Sequence, residues 1–388
     1  MKQVEFLNIL SKEEDDCTCN LLRIGDAVVM FDCGIDDIAT ESKINRICDH
    51  IESVDLLLLT HSTFRHLGSL PLLYKRGLLD NVTVLATSPV CKFGIIALYE
   101  YYLSQRELSD FQLFDLSHVD NAFQQIKATN YFQKRNFRLG ETELSVAAFN
   151  AGFSVGGAFW KIGYNQQNFL YAIDVNDKNE NVSQPLNIGM FTDCHVLITN
   201  TYVAPSLDGV HKCPLLQPYI SMERLKLHIE KTINASYSQA AVEGRHQGDV
   251  LIVCDNLDRV LEILFALEEI AGRRKVHNLP IYYLQHMSMQ ALEVAKSHIE
   301  WMNAKVNKSC YFIDKNPLNF EYIKVVNTDA ELQVNAPHIP RVIVTSTSSF
   351  LHGFARKILP DFVKKQNNKL IIANKAPGHS ITPKLIHG

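Results

Sequence analysis

The chain has 388 residues, more than one hydrophobic core usually serves, so two domains are expected. Hydrophobic residues make up 46% and charged residues 21%, which excludes a disordered chain, a fibrous repeat and a small disulfide-rich scaffold. The net charge of -4 excludes a global basic field, so any binding of nucleic acid must use a local patch.

The distribution of apolar residues and cysteines predicts an intracellular protein without a membrane segment. The longest aliphatic run covers residues 56–59, far short of the roughly 20 residues that a membrane span needs. The N-terminus shows no apolar signal-peptide region. The nine cysteines are scattered and odd in number, which is typical of reduced thiols.

The first half of the chain alternates short apolar runs with helical patterns. Runs of this length that are closed by polar residues predict buried strands over residues 27–31, 55–59, 82–86 and 195–199. Helical spacing of apolar residues predicts a helix over 93–103. Residues 159–162 and 169–173 predict a hairpin around the polar turn 164–167.

The pattern changes near residue 206, where prolines and a glycine predict a linker over residues 206–220. Beyond it, strands and helices alternate, with strands predicted over 250–254, 279–284, 341–345 and 369–373 and helices over 260–270 and 288–306. Such alternation predicts a parallel sheet with helices packed on it.

The loop directly after residues 56–59 carries His61 and His66. A loop at the carboxyl end of a strand is a common place for metal ligands in α/β folds. A chain with 15 histidines also produces such a pair by chance, so the spacing alone leaves ordinary buried histidines as the alternative.

This loop resembles the His-x-His-x-Asp-His signature of the metallo-β-lactamase superfamily when it is aligned on His61 and His66. Four further segments follow in the family's order: Phe31-Asp32-Cys33-Gly34, Ala151-Gly152-Phe153, Asp174, and Thr199-Asn200-Thr201-Tyr202. The last of these resembles the motif that opens the β-CASP region of the RNA- and DNA-processing branch. Each motif is modest by itself, and their shared order carries the resemblance.

Further blocks are similar to the catalytically silent branch of cleavage and polyadenylation specificity factor. They are residues 66–71, 110–114 with 119–123, 248–252 with 259–262, and 297–302. The resemblance runs over nearly the whole chain and is weakest at residues 206–247. It implies a metallo-β-lactamase αβ/βα sandwich with an inserted β-CASP domain, a parallel sheet flanked by helices.

The resemblance also predicts the domain limits. Residues 1–205 would form the metallo-β-lactamase-like domain and residues 206–388 the β-CASP domain. In this family the chain returns after the insertion to complete the first domain. Because the sequence stops near the end of the inserted region, the returning segment and the C-terminal domain are expected to be absent.

The six zinc-ligand positions implied by the family are His61, Thr63, Arg65, His66, Phe153 and Asp174 in this chain. Phe153 cannot coordinate a cation, Thr63 is a poor zinc ligand, and Arg65 places a positive charge where a second metal would lie. Asn200 replaces an acidic residue, and Asp32 matches the family's Asp that ends a strand and orients the ligand loop. We therefore predict a vestigial site with no catalytic residues and no bound metal, although active relatives use zinc.

Two interpretations of Arg65 follow. Its guanidinium could replace the missing cation and pair with Asp174, and with Asp32 as well, because a buried carboxylate without a partner costs several kcal/mol. Alternatively, Arg65 is exposed on a relaxed loop, where an ion pair contributes little.

The resemblance implies a pseudoenzyme, expected to be a non-catalytic RNA-binding subunit of the nuclear complex for pre-mRNA 3′-end cleavage and polyadenylation. The implied partners are the active β-CASP endonuclease subunit, in a heterodimer, other polyadenylation factors, and pre-mRNA. Two alternatives stay open: an active zinc-dependent ribonuclease with an irregular site, and the silent nuclease-like subunit of Integrator.

Overall fold

The computed structural model describes residues 4–10, 17–38, 40–200, 223–232, 234, 248–274, 279–313, 316–334, 340–365, 367–373, 380–382 and 385. These residues form three β-sheets with flanking helices. The predicted linker over 206–220 lies outside the described residues. Within the described ranges, none of the helices is both long enough and apolar enough to cross a bilayer.

The first sheet has six strands in chain order, antiparallel from β1 to β3 and parallel from β3 to β6. Its strands are β1 (Val4–Asn8), β2 (Asn20–Ile24), β3 (Ala27–Phe31), β4 (Leu56–Leu58), β5 (Thr83–Thr87) and β6 (Lys127–Thr129). Its helices are α1 (Glu41–Ile51), α2 (Phe64–Leu67), α3 (Leu70–Lys75), α4 (Ser88–Arg106) and α5 (Leu116–Gln124). The strand predicted over residues 27–31 is present as β3 with the same ends, and the strands predicted over 55–59 and 82–86 and the helix predicted over 93–103 are present with shifted ends.

The second sheet has the strand order β11-β10-β9-β8-β7. Its strands are β7 (Arg135–Leu139), β8 (Thr142–Asn150), β9 (Ala158–Tyr164), β10 (Gln167–Tyr171) and β11 (Val196–Ile198). The predicted hairpin is confirmed as β9–β10. Its turn is shorter than predicted, because Asn165 and Gln166 both adopt positive φ angles of 46° and 62°, the geometry of a two-residue turn.

The prediction that residues 195–199 form a buried strand was wrong in one respect. A strand is present as β11, but it lies at the edge of the second sheet, with Val196 41% and Leu197 49% exposed. Apolar composition predicts a strand, whereas its position within the sheet decides whether it is covered.

The first two sheets pack face to face as a sandwich, with their apolar inner faces forming one core. Phe31 of β3 stacks on Tyr171 of β10 with ring centroids 3.9 Å apart. The indole Nε1 of buried Trp160 donates a hydrogen bond to the Leu59 carbonyl at 3.1 Å, which joins β9 to the end of β4. These contacts hold the carboxyl ends of β3, β4 and β10 close together.

The third sheet is parallel, as predicted, in the order β14-β13-β15-β12-β16. Its strands are β12 (Val250–Val253), β13 (Ile281–Leu284), β14 (Ile323–Val326), β15 (Val342–Thr345) and β16 (Lys369–Ile372). The accompanying helices are α6 (residues 223–232), α7 (Leu257–Arg274), α8 (Ser288–Ser297), α9 (Ala304–Ile313), α10 (Asp329–Val334) and α11 (Gly353–Phe362). Helices α7 and α8 cover one face, and α11 covers the other.

The predicted helix over residues 288–306 is three elements instead of one. Helix α8 ends at Ser297, a 3₁₀ turn covers Ile299–Trp301, and α9 starts at Ala304. Asn303 separates the turn from α9. Its Oδ1 accepts the Lys305 amide at 3.0 Å and so caps the start of α9, and its Nδ2 donates to the Glu180 carbonyl at 2.9 Å. Apolar periodicity alone does not detect such an interruption.

Helix α7 joins the third sheet to the sandwich through buried polar contacts. The carboxylate of Asp258 accepts a hydrogen bond from the Val155 amide at 2.7 Å, and Glu262 accepts one from the Val182 amide at 2.5 Å. Arg259 forms an ion pair with Glu180 at 3.0 Å. Burial raises the pKa of Asp258 to about 7, although the Val155 amide and Arg259 oppose this effect.

This contact predicts a pH-dependent stability. Below the ordinary carboxyl pKa of 3.8, Asp258 is protonated in both states, and between about pH 4 and 7 only the folded state retains the proton. Stability should therefore fall by about 4 kcal/mol over that window as the pH rises. In Asp258→Asn this loss should be absent, which urea unfolding at several pH values can measure.

The control for this experiment is Asp49→Asn, an exposed carboxylate on α1. It should retain the pH dependence of the wild-type protein. Parallel pH profiles for the wild-type protein and Asp258→Asn would contradict the prediction.

Candidate functional site

The residues of the predicted vestigial site meet where several strands of the sandwich end. Asp32 follows β3, the loop with His61 and His66 follows β4, and Asp174 follows β10. Phe153 lies between β8 and β9, and Asn200 lies just after β11. Because these strand ends lie on the same side of the sandwich, residues distant in sequence become neighbours.

Asp32 is completely buried and holds the start of the ligand loop. Its amide donates to the Leu58 carbonyl at 3.1 Å, and its Oδ1 accepts the Thr60 amide at 2.8 Å. The Thr60 hydroxyl adds bonds of 3.0 and 2.9 Å to the two carboxylate oxygens, and Thr18 Oγ1 lies 3.4 Å from Oδ2. Burial raises the pKa of Asp32 to about 6, although His66 and Thr60 oppose this effect.

The same network orients His61. Its Nδ1 lies 2.9 Å from the Thr60 hydroxyl, which already donates to Asp32, so we assign the ring proton to Nδ1. Its Nε2 is buried without a hydrogen-bond partner among the described residues. Burial, reinforced by the nearby His66, lowers the pKa of His61 to about 3, so the ring is neutral at pH 7.

His66 lies beside His61, with ring centroids 4.8 Å apart. Its Nδ1 forms a 2.6 Å hydrogen bond with the Thr63 hydroxyl. Its Nε2 lies 3.3 Å from Asp174 Oδ2, without the alignment of a hydrogen bond. Thr63 thus orients a histidine instead of presenting an imidazole of its own to the site.

Asp174 is held from three sides. Arg65 Nη2 lies 3.9 Å from its Oδ2, and Asn200 Nδ2 donates to its Oδ1 at 2.6 Å. Burial would raise the pKa of Asp174, but His66, His61 and Arg65 outweigh burial and lower the pKa well below 3.8. The predicted pairing of Arg65 with Asp174 is confirmed, whereas its pairing with Asp32 stays a prediction.

Phe153 packs its ring edge-on against His61, at 5.4 Å between centroids. The backbone of the same loop approaches closely, because a β-carbon on Gly157 would lie 2.8 Å from His61 Cδ2. Gly152 has a φ of +76°, and a β-carbon there would lie 1.9 Å from the Asn176 carbonyl oxygen. The absence of side chains on both glycines therefore lets the backbone turn tightly beside the site.

A cavity of about 330 Å³ between the sandwich and the third sheet adjoins the site. Thr63, Arg65 and Phe153, the three of the six zinc-ligand positions that depart from the family, are among its walls. His61, His66 and Asp174 are not among them, and their exposed fractions are 0%, 1% and 9%. The replaced residues therefore stand between the cavity and the residues that keep a ligand identity.

The residues present do not fit the zinc pair that the fold family implies. His61, His66 and Asp174 offer donor atoms, but the second half of the site consists of a hydroxyl bonded to His66, a guanidinium and a phenyl ring. In the part of the chain that the structure describes, no three His, Cys, Asp or Glu side chains are placed to hold a metal ion. A cation beside Asp174 would also be repelled by Arg65.

Comparison with family models identifies the domains of this chain. The model for a metallo-β-lactamase superfamily domain matches residues 21–201, and the model for a β-CASP domain matches residues 260–385. The chain is a metallo-β-lactamase/β-CASP protein. The predicted fold class, with its sandwich and its parallel sheet flanked by helices, is therefore confirmed.

The relatives of this metallo-β-lactamase/β-CASP chain are named as subunits of cleavage and polyadenylation specificity factor. It is 30% identical over 392 residues to the probable cleavage and polyadenylation specificity factor subunit 2 of Drosophila melanogaster, covering 100% of this chain and 49% of the relative. It is 31% identical to subunit 2 of Oryza sativa subsp. japonica, with coverages of 92% and 46%. Subunit 3 of Dictyostelium discoideum is 24% identical, with coverages of 97% and 45%. The chain spans about half the length of these relatives.

Sequence reasoning missed Thr60, which connects Asp32 to His61. The sequence did indicate this role, because a residue with a hydroxyl group stands between the end of a strand and a candidate ligand. From there it can form hydrogen bonds to both Asp32 and His61. Sequence reasoning also missed the orienting roles of Thr63 and Asn200, because it treats Thr63 only as a replaced ligand and Asn200 only as the replacement of an acidic residue.

Proposed function

We propose that this chain is a non-catalytic subunit of the machinery that cleaves and polyadenylates pre-mRNA 3′ ends. One observation carries the proposal: Thr63, Arg65 and Phe153 line the cavity, whereas the three ligand-type residues are buried. A substrate in the cavity would meet a guanidinium and a phenyl ring where a nuclease presents metal-bound water.

Hydrolysis of a phosphodiester in this family depends on a metal pair that activates water and stabilises the attacking and leaving oxygens. The described residues offer neither the ligand set for that pair nor a free acid beside it, since Asn200 replaces the acidic residue of the motif. His61 is neutral, and its ring is packed against Phe153. Among the described residues, this site therefore lacks the groups for hydrolysis, while the packing of the fold is kept.

The role that we propose is structural. The chain would pair with the active β-CASP endonuclease subunit as a pseudo-symmetric heterodimer and would contact other polyadenylation factors in the nucleus. The names of the relatives support this assignment, and the conserved fold offers the nuclease a partner of matching shape.

Affinity purification of the tagged native protein, followed by mass spectrometry, tests this role. We expect recovery of the 3′-end endonuclease together with polyadenylation factors. The purified chain should also leave a labelled RNA intact, with or without added zinc. The matched control is the same tag on an unrelated nuclear protein.

Two results would overturn the proposal. Recovery of Integrator subunits would move the chain to the other silent branch. Stoichiometric bound zinc together with EDTA-sensitive RNA cleavage would establish an active ribonuclease.

A further inference from the structure

We propose that single-stranded RNA binds the outer face of the second sheet, in a groove formed by strands β7 to β10. The identity of the ligand rests on the proposed function, which supplies pre-mRNA as the nucleic acid. The groove itself is independent of that function and of the interdomain cavity. Its volume is about 570 Å³.

The outer face of the second sheet has an apolar half and a polar half. The apolar half is covered, because Phe149, Phe159 and Leu170 pack under Leu186 and Phe191 from the segment before β11. The polar half is open and forms the groove. The segment before β11 therefore covers the apolar half of this face and leaves the polar half exposed to solvent.

The centre of the groove is a row of four residues in register across four strands: Asn136, Ser145, Gly163 and Asn168. Gly163 has no side chain, so the middle of the row stays open down to the backbone. A β-carbon there would lie 2.5 Å from Ser145 Oγ. Four-stranded sheet faces in known RNA-binding modules hold two or three bases. The row therefore has the width for a short single-stranded segment.

The walls of the groove offer hydrogen-bonding groups that the protein does not use. The exposed side chains are those of Lys134, Asn136, Arg138, Asn165, Gln166 and Gln167. Within the described ranges, none of these side chains forms a hydrogen bond or an ion pair with another residue. Side-chain amides carry a donor and an acceptor, as base edges do.

The local charge suits an RNA backbone. Lys134 and Arg138 line the groove, and Glu143, opposite Arg138 on β8, is the carboxylate among the lining residues. Asp193 adjoins the groove, where it accepts a hydrogen bond from Asn168 Nδ2 at 2.5 Å, and its charge is paired with Lys161 at 3.1 Å. The positive excess is small in a chain whose total net charge is -4, so we expect moderate, salt-dependent affinity. Specificity would come from the amides, because contacts to phosphate carry no sequence information.

The test uses the full chain, a labelled single-stranded RNA dodecamer and fluorescence anisotropy at several salt concentrations. Lys134→Ala combined with Arg138→Ala should weaken binding about tenfold and lower the slope of log affinity against log salt by about 1.4. Asn136→Ala combined with Gln167→Ala should weaken binding without changing that slope. Neither pair should shift the melting temperature, because these side chains have no partners to lose among the residues that the structure describes.

The matched control is Lys364→Ala with Lys365→Ala, which removes two charges from an exposed turn after α11. It should bind RNA as the wild-type protein does. Ultraviolet crosslinking with mass spectrometry should place the RNA on β7 and the turn between β9 and β10.

The inference would be overturned if both charge-removing pairs bound RNA with equal affinity, or if the crosslinks lay elsewhere on the protein. It would also be overturned if the protein bound no RNA, or if it bound only a peptide strand at edge strand β7. Affinity purification separates it from the proposed function. If the Lys134→Ala, Arg138→Ala protein still recovers the 3′-end endonuclease while binding RNA like the wild type, the RNA site fails and the subunit role stands.

Discussion

Asp32→Ala should lower the free energy of unfolding by about 3–5 kcal/mol. The substitution removes the acceptor of the Thr60 amide and hydroxyl, and both donors lie in a fully buried setting. It also places alanine at a φ of 58°, a left-handed conformation that costs an ordinary residue about 1–2 kcal/mol. Because Trp160 joins β9 to the neighbouring strand end, urea unfolding followed by tryptophan fluorescence can measure the loss.

Asp32→Asn is the matched control. Asparagine retains an acceptor for the Thr60 amide and tolerates positive φ, so the loss should be about 1 kcal/mol. Equal destabilisation by both substitutions would show that the charge of Asp32, and not its acceptor geometry, stabilises the loop. An Asp32→Ala protein as stable as the wild type would contradict the role assigned to this network.

Restoring the family's ligand types should restore zinc binding. The combined substitutions Thr63→His, Arg65→Asp and Phe153→His replace a hydroxyl, a cation and a phenyl ring by metal ligands around His61, His66 and Asp174. We expect about one or two zinc ions per chain after gel filtration, measured by elemental analysis, whereas the wild-type protein should retain less than a stoichiometric amount. Bound zinc should also raise the melting temperature, because a ligand of the folded state stabilises that state.

The control for this experiment is Phe153→Leu, which changes the packing against His61 without adding a donor. It should gain no zinc. The prediction fails if the wild-type protein already holds zinc stoichiometrically, or if the triple variant folds, as judged by circular dichroism, and gains none. The first outcome would reopen the enzyme interpretation, and the second would show that more than ligand identity was lost.

The local pattern of apolar and polar residues determined the positions of many strands and helices of this protein. Short apolar runs closed by polar residues located the strands around the site, and helical spacing located α7 because that helix covers the third sheet with one apolar face. The same periodicity did not reveal the interruption at Asn303, since that side chain bonds to a residue far away in sequence. It also could not show that β11 is an edge strand, because an edge is a property of the sheet and not of the segment.

The candidate site also has features that the sequence determines and features that only the tertiary structure determines. The chemical types of Phe153 and Arg65 can be read from the sequence, and those types alone argue against a zinc pair. Only the tertiary structure decided that Arg65 reaches Asp174, and that these replaced residues form the wall of a cavity while the remaining ligand types are covered. The physical reason is that residue chemistry is local, whereas the burial and distance that decide a pKa or an ion pair arise from strands brought together over more than a hundred residues.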